Sequence, residues 1–289
     1  MKFGLRYCNT GRYTQLSAAS ELLQAGEQAG FESAWTVEHT IVPAGHASKY
    51  PYSQDGKMAG GRVDIPLPDP LIWMSFLASR TSTIKLGTAI LILPQHSPVV
   101  AAKQIATLDY MSGGRILLGV GVGWLREEFE AIGADFDTRA ARTDEYISAM
   151  RALWVQEAPA FDGKFVSFQD AYCRPQPAQQ TVPIIIGGHS PAAARRAGRL
   201  GDGFFPARGV SVELLDIVKS TAEAAGRDPS AIEITASMPE DPGDIPKLAK
   251  LGVSRIVVPV TPMAGMHAPI ANPDDVIKFS EVIDRYTDL

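Results

Sequence analysis

The sequence predicts an α/β fold, a closed (β/α)8 or TIM barrel, organised as one domain over residues 1–289. The length is near that of one such barrel, and short β-rich runs alternate with longer stretches of helical pattern. Several runs, such as ILLGV and RIVVPV, are continuously apolar, which is typical of parallel strands covered on both faces. Eight strands are expected, at Lys2–Tyr7, Ser33–Val37, Ile84–Leu91, Arg115–Val120, Val182–Gly187, Gly203–Pro206, Ile232–Ala236 and Ser254–Pro259.

The segments between these strands have the apolar spacing of helices, and glycine follows several of them. Helices are predicted at Leu16–Ala29, Pro98–Met111 and Ser211–Ala225, with Gly30, Gly113 and Gly226 as stop signals. Eight strands, each followed by a helix, favour a closed barrel over an open doubly wound sheet.

Two insertions interrupt this alternation, one after the second strand and one after the fourth. Residues Val42–Pro70 are rich in Gly, Pro, Tyr and Ser, and they follow a strand end, where a barrel places its active-site loops. We expect them to shape a substrate pocket, the alternative being a disordered surface insertion. Residues Ala158–Pro177 contain FDGKFVSF, in which Asp-Gly favours the turn of a small hairpin outside the barrel.

Composition and charge limit the classes of partner. The formal net charge of -5 leaves no global basic surface, so neither nucleic acid nor an anionic membrane is an expected partner, and a small molecule is. The most apolar segment, Leu86–Leu93, is far shorter than the roughly 20 residues of a membrane span. Cys8 and Cys173 are too few for a disulfide framework and have no metal-ligand spacing. We therefore expect a cytoplasmic protein without a metal site.

A glycine-rich run, Gly119–Trp124, closes the fourth predicted strand and opens the next helix. Glycine lets a bound ring or phosphate approach the backbone, which makes Gly121, Val122 and Gly123 candidate coenzyme contacts. The spacing is not that of the dinucleotide fingerprint G-x-G-x-x-G, because Trp124 follows directly. The alternative is that these glycines only permit tight packing between strand and helix.

A second candidate site is the run IIIGGHSPAAARR, Ile184–Arg196, where a buried strand ends and a helix begins with Pro191 in its first turn. Free N–H groups and the positive end of the helix dipole would receive a phosphate there. The candidate contacts are Gly187, Gly188, His189 and Ser190, with Ser190 as the N-cap. A purely structural helix start remains open. We interpret Arg195 and Arg196 as solvated surface charges.

Glu38 and His39 lie at the C-terminal end of the second predicted strand, on the barrel face where catalytic residues gather. Histidine exchanges a proton near neutral pH or donates a hydrogen bond to a carbonyl group. The pair is therefore the candidate catalytic site, although a lone histidine is most often structural.

In their order along the chain, these motifs resemble those of the luciferase-like monooxygenase family, in the branch of coenzyme F-420-dependent oxidoreductases. The resemblance rests on SAWTVEH, on KLGTAILILPQHSPVVAAKQIATLDYMSGGRILLGVGVGWLREEFEAIG and on PIIIGGHSPAAARRAGRLGDGFFP, roughly residues 33–206. It implies that the coenzyme binds at the C-terminal mouth of the barrel, with its phosphate held by backbone at Gly187 and Gly188 and near Gly121–Gly123.

The resemblance also assigns residues around the coenzyme ring. It implies a non-prolyl cis peptide at Ala89–Ile90, which would back the ring, with Thr88 beside it. The family's proposed catalytic histidine matches His39. Members that oxidise sugar phosphates or secondary alcohols carry a glutamate where this sequence has Trp124, which puts those two activities in doubt.

The expected function is hydride transfer between the deazaflavin F-420 and an unknown small organic substrate. The first alternative is an FMN-dependent two-component monooxygenase of the same superfamily. The terminal phosphate of FMN carries more negative charge, and Arg208 would supply the positive charge to neutralise it. A lyase or isomerase acting on a phosphorylated substrate lacks a strand-end lysine for a Schiff base and clustered metal ligands. A non-catalytic coenzyme carrier is the last alternative. A homodimer is expected, because related barrels are commonly dimers.

Overall fold

The chain forms a closed barrel of eight parallel strands, as predicted. The structure, a computed structural model, describes residues 1–262 and 268–289, apart from the side chains of residues 59 and 60. The strands are β1 (Lys2–Arg6), β2 (Ser33–Thr36), β3 (Lys85–Thr88), β4 (Leu91–Ile92), β5 (Ile116–Gly121), β6 (Phe161–Asp162), β7 (Ser167–Phe168), β8 (Ile184–Gly187), β9 (Gly203–Phe205), β10 (Glu233–Ser237) and β11 (Val253–Pro259). The helices are α1 (Leu16–Ala29), α2 (Pro70–Ala78), α3 (Pro98–Ser112), α4 (Arg126–Ala131), α5 (Arg139–Val155), α6 (Pro191–Leu200), α7 (Val212–Ala224), α8 (Ile245–Lys250), α9 (Pro273–Lys278) and α10 (Ser280–Tyr286).

Parallel pairing closes the ring in the order β3, β2, β1, β11, β10, β9, β8, β5, and β3 then pairs with β5. The predicted glycine stops are confirmed at α1 and α3, which end at Gly30 and Gly113 in the left-handed conformation. Within the described residues, no helix is long and apolar enough to cross a bilayer.

The third predicted strand differs from the expectation. Instead of one strand over Ile84–Leu91, the structure has β3 and the two-residue β4, separated by Ala89 and Ile90. The peptide bond between these two residues is cis, as the family resemblance implied. β4 pairs with the end of β5, where Leu91 lies opposite Val120. The chain therefore leaves the barrel wall at Ala89–Ile90 and rejoins it one step nearer the mouth.

Trp35 fills the middle of the barrel. It is fully buried, and it packs with Leu117, Ile185, Phe205 and Val257 in a cluster of its own. Glycine at position 4 makes room for it, since a Cβ there would lie 2.8 Å from Trp35 Nε1. A barrel interior filled by layers of side chains is a packed core, so a ligand has access only at its ends.

The layer below Trp35, at the N-terminal ends of the strands, holds a buried ion network. Arg255 on β11 is fully buried and donates to Glu32 and Glu233, and its guanidinium lies 5.5 Å from the Trp35 ring. Burial alone would raise the pKa of Glu32, but hydrogen bonding and attraction to Arg255 hold that pKa at about 2. This end of the barrel is therefore closed by paired charges.

The two predicted insertions are found in their expected places. In the second, β6 and β7 form an antiparallel hairpin outside the barrel, with Phe161 opposite Phe168, which confirms the prediction from Asp-Gly. The first comprises residues 42–69 of the structure, and its Ala47, Tyr50 and Pro51 contact residues that follow the C-terminal ends of β5 and β9. We call this segment the mouth insertion.

Candidate active site

The floor of the mouth is built around Ile90. Its side chain packs against Gly121 at the end of β5 and Gly187 at the end of β8, where an added Cβ would collide with it. Ala89, Ile90 and Gly187 are half-buried, so this surface is open to a ligand. Glycine at 121 and 187 thus admits the Ile90 side chain, a packing role that the sequence did not reveal. Coenzyme contact at these glycines stays a prediction.

Gly188 turns the chain from β8 toward α6. Its φ of 139° is unfavourable for other residues, and a Cβ would lie 2.9 Å from the Ala193 side chain. Its N–H group donates to Phe205 O at 3.3 Å. Among the described residues, the N–H groups without an acceptor at this helix start are those of His189, Ser190 and Ala192, because Pro191 has no N–H group and Ala193 and Ala194 donate to Ser190.

The predicted N-cap of α6 is confirmed. Ser190 Oγ accepts from Ala193 N at 3.2 Å, and Pro191 occupies the first turn. His189 lies beside Arg208, whose N–H points to His189 Nδ1 at 3.4 Å. Burial and the neighbouring Arg208 charge lower the pKa of His189, so it is neutral at pH 7.

Of the two arginines of α6 that were predicted to be solvated, one is exposed and the other is buried. Arg195 is exposed, as expected, but Arg196 is 7% exposed and donates to Asp144 and to Ala140 O. The prediction of a solvated Arg196 is therefore wrong. Sequence did not reveal it because the acceptors lie on α5, about 50 residues away in the chain.

His39 forms a pair with a residue that sequence analysis missed. Its Nδ1 lies 2.9 Å from Glu128 Oε2, and Glu128, in the first turn of α4, is fully buried. The second carboxylate oxygen accepts from Thr40 N at 2.6 Å and Ile41 N at 3.2 Å. Burial would raise the pKa of Glu128, yet His39 and these donors hold it below its usual range. An ionised carboxylate therefore lies against one nitrogen of His39 and leaves Nε2 for a ligand.

Glu38 points away from His39 and toward β4. One oxygen accepts from Ile92 N, and the other lies 2.9 Å from His96 Nε2. Burial would lower the pKa of His96, but the Glu38 hydrogen bond and charge raise it above its usual value. Glu38 thus anchors the strand that follows the Ala89–Ile90 bond, and direct catalytic use stays a prediction.

Trp124 joins the floor to the mouth insertion. Its ring makes edge contacts with His39, His46 and Tyr50, at centroid distances of 5.7, 5.5 and 5.2 Å. The next turn adds hydrogen bonds, because Glu127 Oε1 accepts from Ala47 N at 2.6 Å and Ser48 N at 3.1 Å. The segment after the glycine run therefore holds the insertion over the mouth.

The remaining residues predicted to contact the coenzyme make contacts with other residues of the protein. Thr88 is fully buried, and its hydroxyl donates to Gly119 O at 2.6 Å. Val122 and Gly123 are half-buried. Gly123 has a φ of 79°, and a Cβ added there would collide with Phe129 and Ile92. Whether Thr88, Val122 and Gly123 contact a coenzyme stays a prediction.

A buried arginine, Arg6, also lies at the mouth and was not among the sequence candidates. Its signal was local, because Gly4 and Arg6 alternate with apolar Phe3 and Leu5 in β1, and that pattern turns Arg6 into the barrel. Within residues 1–262 and 268–289, no group of three or more potential metal ligands is found.

Comparison with known proteins shows the family. A family model described as luciferase-like monooxygenase matches residues 2–240, and the chain belongs to this family. It is accordingly an oxidoreductase. An uncharacterized protein of Mycobacterium tuberculosis is 32% identical over 260 residues, which cover 89% of this chain and 91% of that protein.

Two further similar proteins carry functional names. The F420-dependent glucose-6-phosphate dehydrogenase of Kineococcus radiotolerans is 30% identical over 274 residues, 90% of this chain and 73% of that enzyme. Among solved structures, an F420-dependent secondary alcohol dehydrogenase in complex with an F420-acetone adduct has a TM-score of 0.74 at 18% identity, and covers 98% of both chains. The structural match supports the fold alone.

Proposed function

We propose that this protein transfers a hydride between coenzyme F-420 and a small organic substrate. The observation that carries the proposal is a strip at the mouth that runs from the half-buried Ala89–Ile90 past the buried Gly121 and the half-buried Val122 and Gly123 to Gly187–His189. It ends at the exposed Ser190, at the start of α6. Backbone N–H groups at a helix start suit a phosphodiester with one negative charge. The coenzyme name of the Kineococcus relative supports the same choice.

The chain's own residues would serve that chemistry in separate ways. The deazaflavin, when bound, gives or receives the hydride. His39, oriented by Glu128, would hold or move a proton through Nε2 at the substrate. Glu38 would position the Ala89–Ile90 bulge through Ile92 N–H. The mouth insertion, held by Trp124, would exclude water.

Trp124 also narrows the substrate. Its ring occupies the position after the G-x-G of β5, between His39 and Tyr50, where dehydrogenases of sugar phosphates and secondary alcohols would carry a carboxylate. Residue 124 therefore supplies no carboxylate for those oxidations, and the nearby Glu128 carboxylate is fully buried and already paired with His39, Thr40 N and Ile41 N. We therefore favour a different substrate from those named for the Kineococcus relative and the secondary alcohol dehydrogenase.

The second candidate function is an FMN-dependent monooxygenase. Arg208 is the observation in its favour, since it is exposed beside His189 and would neutralise a doubly charged terminal phosphate. Its Nη2, however, donates to Pro51 O of the mouth insertion at 2.6 Å, which gives it a structural role without a ligand.

Titration with both coenzymes tests the proposal. Protein made in a host that lacks deazaflavin should be colourless, and it should quench or shift the spectrum of added F-420 at micromolar concentrations. FMN at the same concentrations should bind more weakly. Yellow protein with stoichiometric FMN and no response to F-420 would replace the proposal with the monooxygenase.

We also propose that two copies associate through α2 and α3. A groove between these helices is lined by polar and apolar side chains, and the apolar Ile72 and Met111 are 73% and 78% exposed there. Exposed apolar patches of this kind mark interaction sites. Sedimentation equilibrium should give the mass of a dimer, and a monomer at all concentrations would reject this assembly. The cytoplasmic location stays an expectation from the sequence.

A further inference from the structure

Arg6 is a buried positive charge at the mouth of the barrel. It ends β1, is 8% exposed, and its guanidinium lies 4.6 Å from the Tyr7 ring and 4.8 Å from the Phe205 ring. Taking a guanidinium out of water is costly unless an anion and hydrogen bonds compensate. Arg6 therefore needs a partner of opposite charge.

The described residues supply only part of that partner. Nη1 donates to Ser237 Oγ at 2.7 Å, whereas the buried Nε has no partner and Nη2 makes no hydrogen bond within residues 1–262 and 268–289. No acidic side chain in those ranges forms an ion pair with Arg6. Residues 263–267 read MAGMH and include no acid. The free edge of Arg6 is the Nε and Nη2 side, which matches the two oxygens of a carboxylate.

In a second arginine of the same barrel, Arg255, the Nε and Nη2 edge is occupied by a carboxylate. Arg255 Nη1 donates to Thr235 Oγ1 at 3.2 Å, and its Nε and Nη2 each lie 3.0 Å from one oxygen of Glu32. Thr235 and Ser237 are two residues apart on β10, so they face the same way. β10 thus gives each arginine one hydroxyl, but only Arg255 has a carboxylate.

Arg6 also adjoins the proposed coenzyme surface. Phe205, one of its two aromatic neighbours, pairs with Gly187 and accepts from Gly188 N. Ala89 packs against the same interior cluster that contains Phe205. Phe205 therefore contacts both the Arg6 guanidinium and the strand end that forms the floor of the mouth.

We propose that the Nε and Nη2 edge of Arg6 binds a carboxylate of the substrate, in the way that Arg255 binds Glu32. The identification of the bound carboxylate as part of the substrate rests on the proposed function. The carboxylate site itself is inferred from the contacts of Arg6 alone. The substrate class is then a small organic acid, held in the mouth beside the floor formed by Ala89 and Gly187.

The test uses benzoate as the probe and benzamide as its neutral analogue. Calorimetry should show benzoate binding to the wild-type protein, weakened at least about tenfold by Arg6→Met, because a charge-assisted two-point contact is lost. Arg12→Met is the matched control, since Arg12 follows the same strand, is exposed, and loses the same charge. It should change benzoate affinity less than about threefold. Benzamide binding should not depend on Arg6.

A measurement on the wild-type protein covers the case in which Arg6→Met does not fold. The Nε–H resonance of Arg6, in protein labelled at arginine, should shift on saturation with benzoate and not with benzamide. Arg6→Lys keeps the charge but not the two-point edge, and should bind benzoate more weakly than wild type.

The outcomes separate this inference from the proposed function. Absence of benzoate binding, equal affinity in wild type and Arg6→Met, or an unmoved Arg6 resonance would overturn the carboxylate site. Loss of F-420 binding in Arg6→Met with benzoate affinity unchanged would also overturn it, and would indicate that the Nε and Nη2 edge of Arg6 binds the coenzyme. If wild type binds no F-420 while benzoate binding depends on Arg6, the site stands and the proposed coenzyme is wrong.

Discussion

His39 Nδ1 lies 2.9 Å from Oε2 of the fully buried Glu128. A carboxylate at Nδ1 keeps the proton of a neutral imidazole on that nitrogen and stabilises the ring when it gains a second proton. Because the other Glu128 oxygen accepts from Thr40 N and Ile41 N, the carboxylate cannot turn freely. The pair therefore has the arrangement of a histidine whose Nε2 exchanges a proton with a ligand.

Replacing His39 with alanine should slow the chemical step more than it weakens coenzyme binding. We expect turnover to fall at least about tenfold, about 1.4 kcal/mol in the barrier. Turnover is measured with an acceptor found by screening against reduced F-420, and affinity by titration of the coenzyme. Unaltered turnover would remove His39 from the mechanism.

Glu128→Gln should lower the same turnover in the same direction. Glutamine keeps an oxygen for Thr40 N and Ile41 N but cannot stabilise a charged His39, so coenzyme affinity and the thermal midpoint should change little. The double variant with His39→Ala should be no slower than His39→Ala alone, since Glu128 acts through His39. Additive losses would show that Glu128 has a separate role.

Most strands and helices of the barrel could be predicted from the sequence, whereas the side-chain partners of His39 and Arg6 at its mouth could not. Continuous apolar runs located the strands, and Gly30 and Gly113 ended helices as predicted, because both signals are local. The partners of His39 and Arg6 are 89 and 231 residues away, so no spacing rule could find them. The glycines at 121 and 187 were recognised as special, but their contact with Ile90 depends on three strands meeting.

Trp124→Ala should loosen the mouth insertion. Two aromatic contacts with the insertion, at His46 and Tyr50 and each worth about 0.5–1.5 kcal/mol, would be lost, while the hydrogen bonds to Glu127 remain. Trypsin should then cleave after Lys49, Lys57 or Arg62 at least about tenfold faster. Trp124→Phe keeps a ring and should lie between alanine and wild type. Equal cleavage rates in all three proteins would show that other contacts hold the segment.

Gly188→Asp should weaken F-420 binding by several kcal/mol, because it places negative charge and bulk beside the expected phosphate. Backbone strain must be separated from charge, since φ is 139° and a new Cβ would lie 2.9 Å from that of Ala193. Gly188→Ala is the matched control, with the same strain and no charge. Titration of both variants, with thermal midpoints, should show a larger loss for aspartate. Equal losses would move the phosphate away from Gly188.

The Glu38–His96 pair should make stability depend on pH in a defined direction. The pKa of His96 is raised in the folded protein, so the folded state binds its proton more tightly than the unfolded chain does. The resulting stabilisation is fully present below the unfolded pKa of about 6.5, and it is lost as pH rises through the folded pKa.

His96→Gln should therefore lower the free energy of unfolding more at pH 5.5 than at pH 9. At the lower pH we expect a loss of about 1.5–3 kcal/mol, as for a hydrogen bond to a charged group. Urea unfolding of wild type and variant at both pH values measures the difference, and His46→Gln, whose ring lies in the mouth insertion, is the control for an unrelated histidine. A loss that is equal at both pH values, or larger at pH 9, would mean that His96 is not charged in the folded protein, and that Glu38 holds β4 through Ile92 N alone.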